Sequence, residues 1–226
     1  MSQLALALKL EDHAVFETFL PAGNEELIAF LDEMIGARRG PGCWLWGRPA
    51  TGKSHLLQAV CDRAGGGAAF LPLSDLLVAG PGIMEGMAGR AFVCIDDVQL
   101  AAGDAAWERG LFNLFNDASE SRSCLVMASN ASPRETRFEL ADLASRCSLL
   151  PAFHVRDLDE ADRRRALKLR ARHRGLELPD ETARFLITRS RRDMASLYSL
   201  LDRLDTEALA AQRRLTVPFV KTVLDR

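Results

Sequence analysis

Apolar positions cluster into short continuous runs in the first two thirds of the chain and into helical stripes in the last third. Cys43 to Trp46, Ala68 to Leu73, Ala91 to Ile95 and Ser123 to Ala128 are runs of the kind that strands buried on both faces show. Ala152 to Val155 adds a fifth. Helix-period stretches separate them: residues 25 to 38, with Leu27, Phe30, Leu31 and Ile35 on one stripe; a helix entered at Ser54; the start of a short one at Ser74 to Val78; residues 105 to 118, carrying Trp107, Leu111, Leu114 and Phe115; and residues 139 to 150. From Asp159 only helical spacing remains, over Glu160 to His173, Asp180 to Arg189, Asp193 to Gln212 and Pro218 to Leu224. Breaks fall near Gly175 and Pro179 and at residues 213 to 216. This order predicts an α/β unit with a five-stranded parallel sheet flanked by helices, followed by a small all-helical unit. Trp44 and Trp46, two apart on a strand, are expected to pack against a helix layer.

The first ten residues alternate strictly, Leu4, Leu6 and Leu8 on one side of an extended chain and Ala5 and Ala7 on the other. Two readings fit: a strand at a sheet edge, or a tail that docks as an extended peptide, its leucines in a pocket and Gln3 making one polar contact.

A length of 226 residues, 48% of them hydrophobic, suffices for one α/β domain and a small satellite. No uncharged run approaches the roughly 20 residues that span a bilayer, and no basic region precedes the short apolar start, so a cytoplasmic location without membrane contact is expected. Cys43, Cys61, Cys94, Cys124 and Cys147 are odd in number and lack C-x-x-C spacing; they read as core thiols. The net charge of −2 hides a split at residue 155: 12 Lys/Arg against 19 Asp/Glu before it, 17 against 12 after it. The basic C-terminal part suits an acidic partner surface, a nucleotide or DNA, or is a solvated helical surface.

The chemistry starts at Cys43 to Gln58, where Gly47, Gly52, Lys53 and Ser54 satisfy G-x-x-x-x-G-K-[ST] between a strand and a helix. The glycines let the backbone wrap a phosphate, the amides up to Ser54 point at it from a helix N-terminus, Lys53 reaches the β- and γ-phosphates and Ser54 ligates Mg²⁺. Pro49, Ala50, Thr51 and His55 complete the cradle. Downstream, Ala91 to Ile95 runs into Asp96-Asp97, an apolar strand ending in acids: Asp96 would hold Mg²⁺ through water and Asp97 would orient an attacking water. Asn130 follows the fourth strand at the edge where α/β sites lie, either touching the γ-phosphate or nucleophilic water or serving as a turn former before Ser132-Pro133. Arg146, near the end of ELADLASRCSLL, is on its own a cation at a helix C-terminus.

Taken in order, P-loop, Walker B, polar strand end, arginine-bearing helix and helical lid resemble an AAA+ P-loop ATPase. IDDVQLAAG (residues 95 to 103) and LADLASRCS (residues 140 to 148) resemble the Walker B and arginine-finger motifs of the replication initiator DnaA. LRARHRGLELP, RDM and RRLTVPFVK are similar to the Hda family, the DnaA regulatory inactivators, and Gln3 to Leu8 resembles the sliding-clamp motif Gln-Leu-x-Leu-x-Leu that Hda proteins carry at the N-terminus. The resemblance implies a flexible clamp-binding tail (1–10), a RecA-like nucleotide-binding base (11–155) and a lid (156–226). It makes Asn130 the sensor 1 residue, Arg192 the sensor 2 residue with Arg189 and Arg191 as neighbours, and Arg146 an arginine finger acting on a neighbouring protein's ATP. Expected cofactors are ADP or ATP with Mg²⁺, with weak intrinsic turnover. Expected partners are DnaA, the DNA polymerase III β sliding clamp, DNA through that clamp, and further copies in a homo-oligomer. The chain has no room for the domains that flank this module in DnaA. Arg48 to Thr51 is bulkier than glycine-rich cradles, and a stand-alone ATPase such as a helicase loader is the alternative.

Overall fold

A computed structural model describes residues 14–38, 40–189 and 194–224. In chain order the first part contains α1 (Glu25–Ala37), β1 (Cys43–Trp46), α2 (Lys53–Ala64), β2 (Ala68–Pro72), α3 (Leu73–Leu76), β3 (Phe92–Asp96), α4 (Ala105–Ser121), β4 (Cys124–Ser129), α5 (Ala141–Ser148) and β5 (Ala152–His154). The five strands pair in the order β2-β3-β4-β1-β5, every pair parallel. Parallel strands need crossover connections, and helices supply most of them, covering both faces. The alternation of side chains along each strand therefore feeds two separate cores. Cys43, Leu45, Phe92, Cys94, Val126 and Ala128 pack with α1 and α2. Trp44, Val93, Ile95, Leu125 and Met127 pack with α4 and α5. Double-sided burial is why the strands read as unbroken apolar runs. Trp44 is fully buried, edge-on to Phe138, and its indole N–H donates to the Ala131 carbonyl at 3.0 Å, the polar partner a buried tryptophan requires. Trp46 lies against His154, ring centroids 4.4 Å apart.

Two expected helices are altered. The stretch 139–150 is helical only over Ala141–Ser148; the amides of Glu139 and Leu140, just ahead of the helix, are bound by the Glu108 carboxylate. The helix expected from Ser74 is a single turn, α3, prolonged by 3₁₀ turns at Leu77–Ala79, Pro81–Met84 and Met87–Gly89; Gly80 and Gly86, both at positive φ, break the ladder.

The remaining helices are α6 (Glu160–His173), α7 (Asp180–Arg189), α8 (Met194–Ala211) and α9 (Val217–Leu224), around a third core of Leu167, Leu186, Leu197, Leu201, Leu204, Phe219 and Val220. Asp159 caps α6, accepting from the Asp162 amide at 2.7 Å. Leu20 and Leu158 insert into this core from the chain leading to and from the sheet unit. Among the described residues no helix is long and apolar enough to cross a membrane.

Candidate functional site

At the C-terminal ends of β1 and β3 the expected cradle residues converge. After β1 the chain turns at Gly47 (φ +152°), Ala50 (φ +63°) and Gly52 (φ +97°) before α2 begins. A Cβ on Gly47 would lie 2.6 Å from the Val155 carbonyl oxygen, and one on Gly52 2.8 Å from the Phe19 ring. Both glycines are thus required twice, by dihedral and by space. Thr51 Oγ1 donates to the Arg48 carbonyl at 3.1 Å, and Lys53 Nζ donates to the Gly47 and Arg48 carbonyls, each at 2.8 Å, so the loop is braced from within. The first amide to find an intrahelical acceptor is Leu56, bonded to Gly52; those of Lys53, Ser54 and His55 are helix-start donors open to an anion. Pro49 heads this turn in an exposed position.

Asp96 ends β3 only 6% exposed. Burial raises its pKa, while the nearby Ser54 hydroxyl opposes the rise, as does the Asp97 amide, which donates to Oδ1 at 3.0 Å. Burial lowers the Lys53 pKa, opposed chiefly by the Asp96 charge. A hydroxyl, a desolvated carboxylate and an ammonium group are thus collected beside a loop of free amides. That donor set suits a phosphate chain and a small divalent cation, which takes few protein oxygens and keeps water and phosphate for the rest.

Asp97 holds a left-handed backbone (φ +55°), unusual for a residue with a Cβ, and caps the 3₁₀ turn Val98–Ala101. That turn brings back Gln99, which the sequence reading did not single out. Its side-chain amide donates to Asp97 Oδ1 at 2.9 Å and its carbonyl accepts the Asn130 amide at 3.2 Å, tying β3 to β4 at the sheet edge. The Asn130 residue is itself exposed.

The His55 imidazole is held by the segment before α1. Its Nε2 lies 2.8 Å from the Val15 carbonyl and 3.3 Å from Thr18 Oγ1, and its ring sits 5.6 Å from that of Phe19. Burial depresses its pKa to about 4. Its contribution to an anion is its backbone N–H; its imidazole locks the segment before α1 onto α2. That segment and the helical unit close a cavity of about 240 Å³ over the cradle, with Thr18, Phe19 and Leu20 on one wall and Ala166, Arg170, Tyr198 and Asp202 on the other. Arg170 is only 3% exposed, its guanidinium 4.3 Å from the Tyr198 ring centroid and 3.6 Å from Asp202. Arg174 reaches Asp202 at 2.9 Å and Asp205 at 3.3 Å, and Arg164, Lys168 and Arg184 converge on Asp180. Much of the basic excess of this unit is therefore paired within it.

Arg146 is elsewhere. It occupies the last turn of α5 and lines a surface cavity of about 830 Å³ with Gly40, Pro41, Arg122, Ser123, Leu149 and Leu150, residues that precede β1, β4 and β5. These are the N-terminal ends of parallel strands whose C-terminal ends carry the cradle. One strand length, roughly 13 to 20 Å at about 3.3 Å per residue, separates the two. Its guanidinium lies 5.1 Å from the Phe112 ring centroid. Arg189 closes α7 with its guanidinium 5.5 Å from the Phe185 ring centroid. Arg191 and Arg192, and Gln3, Leu4, Leu6 and Leu8, lie outside the described residues.

Residues 160–224 match the family model of the Hda lid domain. Three solved structures share the architecture. Domain III of the replication initiation protein DnaA from Thermotoga maritima has a TM-score of 0.77 at 20% identity, covering 96% of this chain and 97% of that one. AMPPCP-bound DnaA from Aquifex aeolicus scores 0.69 at 21% identity, covering 89% and 68%. The RuvB Holliday junction branch migration motor of T. maritima scores 0.64 at 16% identity, covering 90% and 69%. At these identities the likeness establishes the fold, that of an AAA+ module with a helical lid.

Proposed function

We propose that this Hda-like, DnaA-related AAA+ protein is a regulatory adaptor with two working ends: it binds adenine nucleotide in its own cradle and stimulates hydrolysis of ATP held by DnaA, inactivating the initiator and so restraining replication initiation. The observation that carries the reading is the location of Arg146, at the sheet edge remote from its own P-loop and half-buried beside an open cavity. A guanidinium there has no access to the phosphates its own chain would hold. It is suited to the γ-phosphate of ATP on another molecule, where an arginine stabilises the charge of the transition state.

In the cradle, Ser54 and Asp96 would hold Mg²⁺, which neutralises phosphate charge when bound. Lys53 and the amides from Gly52 to His55 would bind the phosphates, ADP or ATP. The AMPPCP complex of the A. aeolicus relative supports nucleotide as the ligand class. The cavity is walled by both the sheet unit and the lid, so nucleotide would couple the two and set how the molecule meets DnaA. Gln3, Leu4, Leu6 and Leu8 would dock on the DNA polymerase III β clamp, bringing the protein to DNA indirectly. Arg192 would read the γ-phosphate as the sensor 2 residue. Cytoplasmic action follows from these partners, and copies sharing the Arg146 edge would form a homo-oligomer.

The test is single-turnover hydrolysis of ATP pre-bound to DnaA, with clamp loaded on DNA. Adding this protein accelerates it, and substituting Gln3 and Leu6 by alanine removes the acceleration together with clamp binding. An adaptor lacking any effect on DnaA-bound ATP contradicts the proposal.

A second reading, a stand-alone ATPase such as a helicase loader, is favoured by the Asp97–Gln99–Asn130 link, which would hold a water-orienting acid at the protein's own cradle. Brisk turnover by the isolated protein, abolished by Lys53→Ala, is its signature.

A further inference from the structure

We infer that α4 is the rail that presents Arg146: Glu108 fixes the start of α5, and Phe112, one turn further along α4, holds the guanidinium at its end. The inference rests on the trans-acting role of Arg146 proposed above, and it assigns two positioning residues to that role.

An eight-residue helix is too short to be stable by itself, and α5 has no side-chain cap of its own, since Leu140 stands at the N-cap position. Its entry is organised from outside. The Glu108 carboxylate is 1% exposed; Oε1 accepts from the amides of Gly103 (2.8 Å) and Glu139 (3.0 Å), and Oε2 from that of Leu140 (2.6 Å). A carboxylate from a neighbouring helix thus fixes the two residues from which α5 starts, where local sequence offers no side-chain cap, and negative charge is favoured at that terminus. At the other end, the Arg146 guanidinium rests 5.1 Å from the centroid of Phe112. Residues 108 and 112 are four apart, hence on one face of a helix of 17 residues. Both ends of α5 are therefore referred to one long element packed on the sheet through Trp107, Leu111 and Leu114.

The nature of the second contact matters. Among the described residues no carboxylate pairs with Arg146. A ring face restrains the guanidinium without neutralising it, so the full charge stays available to an incoming phosphate, while the rotamer freedom lost on engagement is reduced beforehand. Pre-positioning of this kind acts on the rate of the bound complex, not on how tightly DnaA is held.

The experiment measures hydrolysis of DnaA-bound ATP over a range of concentrations of this protein, with parent, Phe112→Leu, Phe112→Tyr and Arg146→Ala, and checks each fold by thermal melting. Phe112→Leu is expected to lower the maximal rate roughly fivefold with the half-saturating concentration within about twofold, from a cation–π contact of this size. Phe112→Tyr keeps the ring and restores the parent rate, and in an Arg146→Ala background Phe112→Leu changes nothing further. In parallel, the Arg146 δ-methylene protons of the parent are shifted upfield by the ring in NMR spectra and lose that shift in Phe112→Leu. The parent's own spectrum reads the contact even if the leucine variant fails to fold. A full maximal rate in folded Phe112→Leu, where Arg146→Ala abolishes stimulation, overturns the positioning role while leaving the arginine finger intact; so does a parent spectrum without the shift. Absence of stimulation by the parent overturns the reading itself, and this role with it.

Discussion

The two edges of the sheet are built on opposite principles. At the C-terminal edge, charged and polar groups, Lys53 and Asp96 buried among them, are tied within the chain: Lys53 to two loop carbonyls, Asp96 to the Asp97 amide, Gln99 to Asp97 and Asn130, His55 to the Val15 carbonyl. At the N-terminal edge a single half-buried arginine, restrained by a ring and paired with no described carboxylate, lies beside an open cavity and Leu149, which is 81% exposed. Buried polar networks are costly to leave incomplete, so the first edge suits the proposed role of holding a ligand within this chain. An unneutralised cation and an exposed apolar side chain on an open rim suit a surface completed by another molecule. The lesson is that one fold sets the proposed cis-binding site and the proposed trans-acting arginine a strand's length apart, with the lid walling only the former.

Substitutions at the first edge should therefore disturb stability or nucleotide affinity, and those at the second only the effect on DnaA. The largest effect is expected from His55. Its folded pKa of about 4 lies below the ordinary 6.5, because burial disfavours the imidazolium. Between those values the unfolded chain binds the proton and the folded chain does not, so stability falls as pH drops through that window, by up to about 3 kcal/mol. Urea melts at pH 7 and near pH 4.5 on parent and His55→Gln check this: the parent's advantage shrinks on acidification. The difference between the two proteins removes the opposite contribution of Asp96, whose raised pKa favours the fold as pH falls. Next, Lys53→Ala should weaken nucleotide binding roughly 30- to 100-fold by calorimetry, the loss of a charge-assisted contact of about 2 to 3 kcal/mol. Gln99→Ala should lower stability by about 1 kcal/mol in the same melts. Smallest of all, Arg146→Ala should leave the protein's own nucleotide affinity within about twofold and cost at most about 1 kcal/mol of stability, the ring contact. A tenfold loss of nucleotide affinity there would abolish the distinction between the edges.

What was legible in advance follows the same division. Strands buried on both faces announce themselves as apolar runs, and Glu160–His173 and Asp180–Arg189 fall at the expected bounds because caps and breaks are local signals. That Gly47, Gly52, Lys53 and Ser54 would form one loop at a helix start was legible because the pattern is compressed into a few consecutive residues. Gln99 was not, since its role depends on the left-handed turn at Asp97 that folds it back over the strand end. Glu108 reads in sequence as an ordinary acid on an amphipathic helix; only the tertiary fold delivers the amides of residues 139 and 140 to it. Arg170 was counted with a basic surface but is buried against Tyr198 and Asp202, because helical spacing alone does not reveal which cations face a neighbouring helix. The bond of the His55 imidazole to the Val15 carbonyl was likewise beyond local pattern: motif position gave its backbone, packing decided its ring.

The most direct test of the proposed trans-acting edge is hydrolysis of DnaA-bound ATP, with clamp loaded on DNA, in the presence of this protein or its Arg146→Ala variant. The parent should accelerate hydrolysis, and the folded, nucleotide-binding and clamp-binding variant should lose about a thousandfold of that rate or fall to background, as removal of an arginine finger does. Equal acceleration by both proteins would contradict the account, whatever the state of the cradle.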